Sequence, residues 1–122
     1  MSGDLAFSTI DALGEALRDG SLSPVALAEA ALARIARHDD RLRSYVHVSA
    51  SALEQARRAE AEIRSGAWRG RLHGIPVAIK DNYLTEDMPT TAGTRAPGIA
   101  FPLTDSAATA RLRRAGSPGS GA

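Results

Sequence analysis

The sequence predicts a helix-rich α/β arrangement carrying one or two short strands. Apolar residues recur at helical spacing in four stretches of the 122-residue chain, each preceded by a capping serine or aspartate. One segment, Ile75-Pro76-Val77-Ala78-Ile79, is apolar throughout and short enough to be a buried strand instead. Glycines or polar turns punctuate these stretches.

Residues 8–19 read as the first helix. Ser8 is its expected N-cap with Asp11 three positions on, and Ile10, Leu13 and Leu17 form the apolar stripe. Gly20 supplies the left-handed stop. Ser23-Pro24 opens the second helix, the serine capping and the proline sitting at the first helical position, where its missing N–H costs nothing. Ala28, Leu32 and Ile35, with Ala31 and Ala36 beside them, form the expected buried face, and His38-Asp39-Asp40-Arg41 the closing polar turn. Tyr45-Val46-His47-Val48 is β-favourable and reads as a strand.

A third helix starts at Ser49 or Ser51 and runs to Ser65, with Leu53, Ala56 and Ile63 on one face and Gly66 as stop. Its charges, Arg57, Arg58, Glu60 and Glu62 among them, read as a solvated face. Trp68 is a packing anchor. After the 75–79 strand, residues 83–89 have turn chemistry. In Thr90-Thr91-Ala92-Gly93-Thr94, hydroxyls beside a glycine permit close approach to another element. Segment 95–104, with Pro97, Gly98 and Pro102, reads as surface loop. Asp105 is the expected cap of a last helix with Ala108 and Leu112 on its apolar side. Arg113 and Arg114 suit its negative end, and Ala115-Gly116 closes it. Residues 117–122 have linker composition, so the organisation expected is one domain over 1–116 and a disordered Ser/Gly/Pro tail.

Bulk properties narrow the function classes. A net charge of +1, with no basic stripe, gives no electrostatic case for nucleic acid. The absence of cysteine excludes disulfides, thiolate metal sites and a cysteine nucleophile. His38, His47 and His73 lack ligand spacing, so neither a zinc site nor any other cofactor is expected. No signal-peptide pattern opens the chain and no apolar run is long enough to span a bilayer, which makes cytoplasmic the expected location.

One residue stands out chemically. Among fourteen arginines there is a single lysine, Lys80, at the end of the apolar strand. Arginine cannot lose its proton in a protein, whereas a lysine can when its amine is stripped of water. Strand alternation puts Ile75, Val77 and Ile79 on one side and Pro76, Ala78 and Lys80 on the other, where small apolar neighbours favour a dry amine. Asp81 points the opposite way if the strand continues, and so is not the obvious partner. Taken by itself, Lys80 is better read as a strand-end lysine whose stem lies on apolar surface and whose head is wet.

The stretch Gly70-x-Leu72-x-Gly74-Ile75-Pro76-Val77-x-Ile79-Lys80-Asp81-Asn82, followed by Met88-Pro89-Thr90-Thr91-Ala92-Gly93, resembles the amidase signature family. Ala31-Leu32-Ala33-Arg34-Ile35 and the helix from Asp105 to Gly116 also look like that family, so the likeness covers roughly residues 5–116. The resemblance implies the N-terminal part of a mixed β-sheet covered by helices. It also implies a hydrolase that cleaves amide C–N bonds with a Ser–cis-Ser–Lys triad, acting on a small-molecule amide.

Lys80 falls on the family's catalytic lysine, with Asp81, Thr91 and Gly93 as supporting residues. A free lysine is neutral at pH 7 only about once in 2,500, a handicap of roughly 4.6 kcal/mol, and burial can remove three to five pK units of it. The family's bridging serine and nucleophile lie in a later Gly/Ser-rich segment with no counterpart here, and Thr94 stands where serine is frequent. The chain is therefore expected to be a truncated piece, inactive alone. Two alternatives remain: the A subunit of the tRNA-dependent glutamine amidotransferase, and a non-catalytic truncated domain.

Overall fold

The computed structural model describes residues 4–95 and 104–121. A single 3-10 turn, Leu5–Phe7, leads into helices α1 (Ile10–Asp19), α2 (Pro24–Leu42) and α3 (Ala52–Arg64). Strand β1 (Val77–Ala78), helix α4 (Ala107–Arg114) and strand β2 (Gly119–Gly121) follow. The two strands pair in parallel, Val77 opposite Gly119 and Ala78 opposite Gly121, with an irregular register between.

The core forms where α1 and α2 meet the approach to β1. Leu13, Leu17, Leu27 and Ile75 make one buried cluster, with Leu5, Leu22 and Ile63 packed against it. Ser23 caps α2 as expected, accepting from Val25 N–H at 3.1 Å, with Pro24 at the first helical position. Gly20 closes α1 at φ 84°, as expected. Helix α3 keeps its expected extent, and Ala52, Ala56 and Ala59 give it a narrow buried stripe.

Several expectations are corrected by local hydrogen bonding. The α1 cap is Thr9, whose hydroxyl accepts from Ala12 N–H at 3.1 Å, while Ser8 closes the preceding turn, its N–H donating to the Leu5 carbonyl. Ile10, at the first helical position, is half exposed. Helix α2 runs through residues 38–41, since polar residues alone do not stop a helix. It ends at Arg43, in the left-handed region at φ 50°, and Asp39 accepts the freed N–H groups of Ser44 and Tyr45. Leu32, Ile35 and Ala31 on that helix are only half-buried and Ala36 is exposed.

The expected strand at 45–48 reduces to an isolated bridge at Val48, because the Tyr45 N–H is committed to Asp39. Asp105 does not cap α4. Its carboxylate is taken by Glu86 N–H at 2.9 Å and by Arg113 Nε at 2.7 Å, and Ser106 caps instead, accepting from Thr109 N–H. Of the expected surface loop, residues 96–103 lie outside the described residues.

Residues 117–121, expected as a disordered tail, are folded in. Ser117, Pro118 and Gly119 are buried. Ser117 Oγ donates to the Leu72 carbonyl at 3.0 Å and Gly119 N–H to Gln55 Oε1 at 3.0 Å. Linker composition misleads here because the segment's polar groups find partners far back in the chain, at Leu72 and Gln55.

Candidate active site

The expected strand shortens to Val77–Ala78, and its alternation holds in part: Ile75 and Ile79 are buried and Ala78 and Lys80 exposed, while Pro76 and Val77 are both half-buried. The expected dryness of Lys80 is not met. Nothing described covers the Ala78 and Lys80 end of that side, so the ammonium is in water in this chain. Among the described residues no carboxylate pairs with it. A cavity of about 580 Å³ lies instead between the N-terminal turn and α2, bounded by Leu13, Leu27, Arg34, Ile35, Tyr45 and Pro76, and Lys80 is not on its wall.

The supporting residues named from the sequence do come together. Asp81 is half-buried, and its Oδ1 accepts the Thr91 N–H at 2.8 Å. Its Oδ2 accepts the Thr91 hydroxyl. Its main-chain carbonyl accepts the Ala92 N–H at 2.8 Å. Partial burial pushes the Asp81 carboxyl up, but the Thr91 hydroxyl and the N–H groups of Thr91 and Gly93 more than offset this and hold it below the ordinary value. The turn so gripped is a strained one. Ala92 stands at φ 48°, a left-handed conformation that costs a residue with a Cβ roughly 1–2 kcal/mol, next to Gly93 at φ 75°. On the other side of Asp81, the Lys80 carbonyl accepts the Tyr83 N–H at 2.9 Å, pinning the lysine's own backbone.

A second cluster was missed by the sequence. His73 is fully buried, with Nε2 2.8 Å from Glu62 Oε2 and Nδ1 accepting the Arg69 N–H at 2.9 Å. Glu62, expected on a solvated face, thus turns to the core side of α3 and also pairs with Arg69 at 2.8 Å. Arg69 reaches on to the carbonyls of Arg113 and Arg114 at the end of α4. Gly116 closes the cluster, its Cα so near the imidazole that a Cβ would sit 2.3 Å from His73 Cδ2. No spacing rule connects residues 62, 73 and 116, so only packing brings them together. Nearby, Arg113 is gripped by Asp87 at 2.6 Å and Asp105. Burial disfavours its charge, but these carboxylates outweigh that and raise its pKa. Trp68, half-buried, carries the Arg18 guanidinium 4.6 Å from its ring, in keeping with an anchor.

Among the described residues no group of three carboxylate or imidazole side chains could hold a metal ion. No described helix is long and apolar enough to cross a membrane.

The amidase family model matches residues 26–121, which includes β1, Lys80, the Asp81–Gly93 turn and α4. The chain belongs to the amidase family. It is 44% identical over 106 residues to the A subunit of glutamyl-tRNA(Gln) amidotransferase from Thermobifida fusca (strain YX), covering 85% of this chain and 21% of that protein. It is 36% identical to the native peptide amidase of Stenotrophomonas maltophilia, with a TM-score of 0.90 over 95% of this chain and 24% of that one. An amidase family protein from Bacillus anthracis str. Ames matches with TM-score 0.79 and 34% identity, over 96% of this chain and 24% of its own. The fold is therefore that of the N-terminal part of an amidase signature enzyme. The chain spans about a fifth of the length of the curated relatives it matches.

Proposed function

We propose that this chain is the lysine-bearing part of a hydrolase that cleaves amide C–N bonds by a Ser–cis-Ser–Lys mechanism, with Lys80 as the base. The observation that carries this reading is the family match over residues 26–121, a span that includes β1 and Lys80 just beyond it. In the whole enzyme, Lys80 takes a proton through a bridging serine from the nucleophilic serine, and both serines lie in sequence that this chain does not contain. The exposed Ala78 and Lys80 side is then the face that the rest of the fold covers, and that covering supplies the desolvation a neutral lysine requires. Alone, the chain offers a base with nothing to activate, and it turns over no amide.

A chimera tests this. Residues 1–116 joined in frame to the remainder of the Stenotrophomonas peptide amidase should hydrolyse peptide amides. Lys80→Ala should lower kcat on the order of a thousandfold, as loss of a general base does. A folded chimera that hydrolyses amides equally well with Lys80→Ala overturns the reading. The likeness to the A subunit of an amidotransferase favours glutamine as a second substrate class, and ammonia release from glutamine in the same chimera distinguishes it.

A further inference from the structure

Lys80 is followed directly by a carboxylate, yet the two are not paired, and the reason lies across the turn. Thr91 Oγ1 accepts the Gly93 N–H at 3.2 Å, which leaves its single proton to be donated, and it is donated to Asp81 Oδ2. The Thr91 N–H takes Oδ1 at 2.8 Å. Both carboxylate oxygens of Asp81 are thus committed to the 91–93 turn, Oδ2 through the Thr91 hydroxyl. The backbone repeats the grip, the Ala92 N–H on the Asp81 carbonyl and the Tyr83 N–H on the Lys80 carbonyl, so neither residue of the pair can swing by main-chain rotation without breaking a bond.

From this geometry we propose that Thr91 is a positioning residue. Its hydroxyl holds the Asp81 carboxylate against the 91–93 turn and so keeps the chain's sole lysine without an acid partner. The functional meaning rests on the reading of Lys80 as a base, because an adjacent carboxylate free to pair would favour the ammonium over the amine. The bonds from Thr91 and Gly93 that depress the Asp81 carboxyl agree with a carboxylate already satisfied by neutral donors. The strained Ala92 fits as well: strain persists where surrounding bonds over-determine the backbone, and here they do so around Asp81.

The composition provides the assay. With one lysine in the chain, an amine-acetylating ester modifies only Lys80 and the α-amino group, and peptide mapping separates the two. The rate of Lys80 acetylation at pH 9, below the ordinary lysine pKa, reads how much of the amine is neutral. Thr91→Val removes the hydroxyl with little change of shape, takes the side-chain donor from Oδ2, and should slow acetylation about fivefold, the size of a contact-distance charge in water. Thr91→Ser should restore the original rate. In an Asp81→Asn background, Thr91→Val should have no effect, because no carboxylate remains to be released.

Two results would overturn the proposal: an unchanged rate in Thr91→Val, or an equal slowing by Thr91→Val with and without the Asp81 charge, which would mark a structural effect. The measurement needs no turnover. A positive result here beside a chimera indifferent to Lys80→Ala would refute the hydrolase reading and leave the positioning intact.

Discussion

His73 and Glu62, eleven residues apart in sequence, meet at 2.8 Å beneath the end of α4, with the imidazole wholly out of water. Because Nδ1 already faces the Arg69 N–H, the ring proton sits on Nε2 and is donated to Glu62. A second ring proton would point at a donor.

This makes stability sensitive to mild acid. Burial lowers the His73 pKa, while the hydrogen bond and charge of Glu62 oppose the shift and the Arg69 charge adds to it; the net direction is down from 6.5. The folded state therefore binds fewer protons than the unfolded one. Its full contribution is present above about pH 6.5 and is lost as pH falls through the lower folded value, with a slope of at most about 1.4 kcal/mol per pH unit. Urea midpoints measured from pH 7.5 to 5 should fall in the wild type. His73→Gln, whatever its own stability, should flatten that part of the profile.

Gly116 and Gly20 share nearly the same backbone, φ 85° and 84°, but not the same surroundings. A Cβ at Gly20 meets nothing within 4 Å, whereas at Gly116 it would strike the His73 ring at 2.3 Å. Gly20→Ala should cost about 1–2 kcal/mol, the left-handed penalty alone. Gly116→Ala should cost at least about 2 kcal/mol more, since the ring sits between Glu62 and Arg69 and has nowhere to move. Equal losses for the two variants in chemical denaturation would show that the His73 cluster is loose.

The core makes a parallel contrast between two leucines. Leu17, 1% exposed and central to the α1–α2 cluster, should lose about 2–5 kcal/mol on truncation to alanine. Leu42, 70% exposed at the last position of α2, should change stability by less than about 0.5 kcal/mol. Thermal or urea unfolding followed by Trp68 fluorescence checks both.

Apolar surface remains open on this chain. Phe7, Val46, Tyr83 and Leu84 are all exposed, as are Ile10 and Leu42. The isolated chain should bind a hydrophobic dye such as ANS and unfold over a broad range, because so much apolar surface is left without a partner. A sharp, reversible transition without dye binding would contradict this.

How much of this was legible in the sequence depends on range. Ser23-Pro24, Gly20, Gly66, the extent of α3 and the alternation through Ile75, Val77 and Ile79 are set by backbone sterics and nearest neighbours, so the residues suffice to read them. The motif from Gly70 to Gly93 carried the family and the names Lys80, Asp81, Thr91 and Gly93 for the same reason. Two of the differences arose where another group competed for a local hydrogen bond: Arg113 and Glu86 took Asp105 from α4, and Asp39 took Tyr45 from its strand.

The sequence by itself determined the helices, the strand face and the place of the chain's one lysine. Only the tertiary structure decided that residues 117–121 are folded, that His73 is buried against Glu62 and that Lys80 is wet. Local propensity acts through bonds a few residues apart. Burial depends on which surfaces the whole chain brings together, and for Lys80 the described residues bring none.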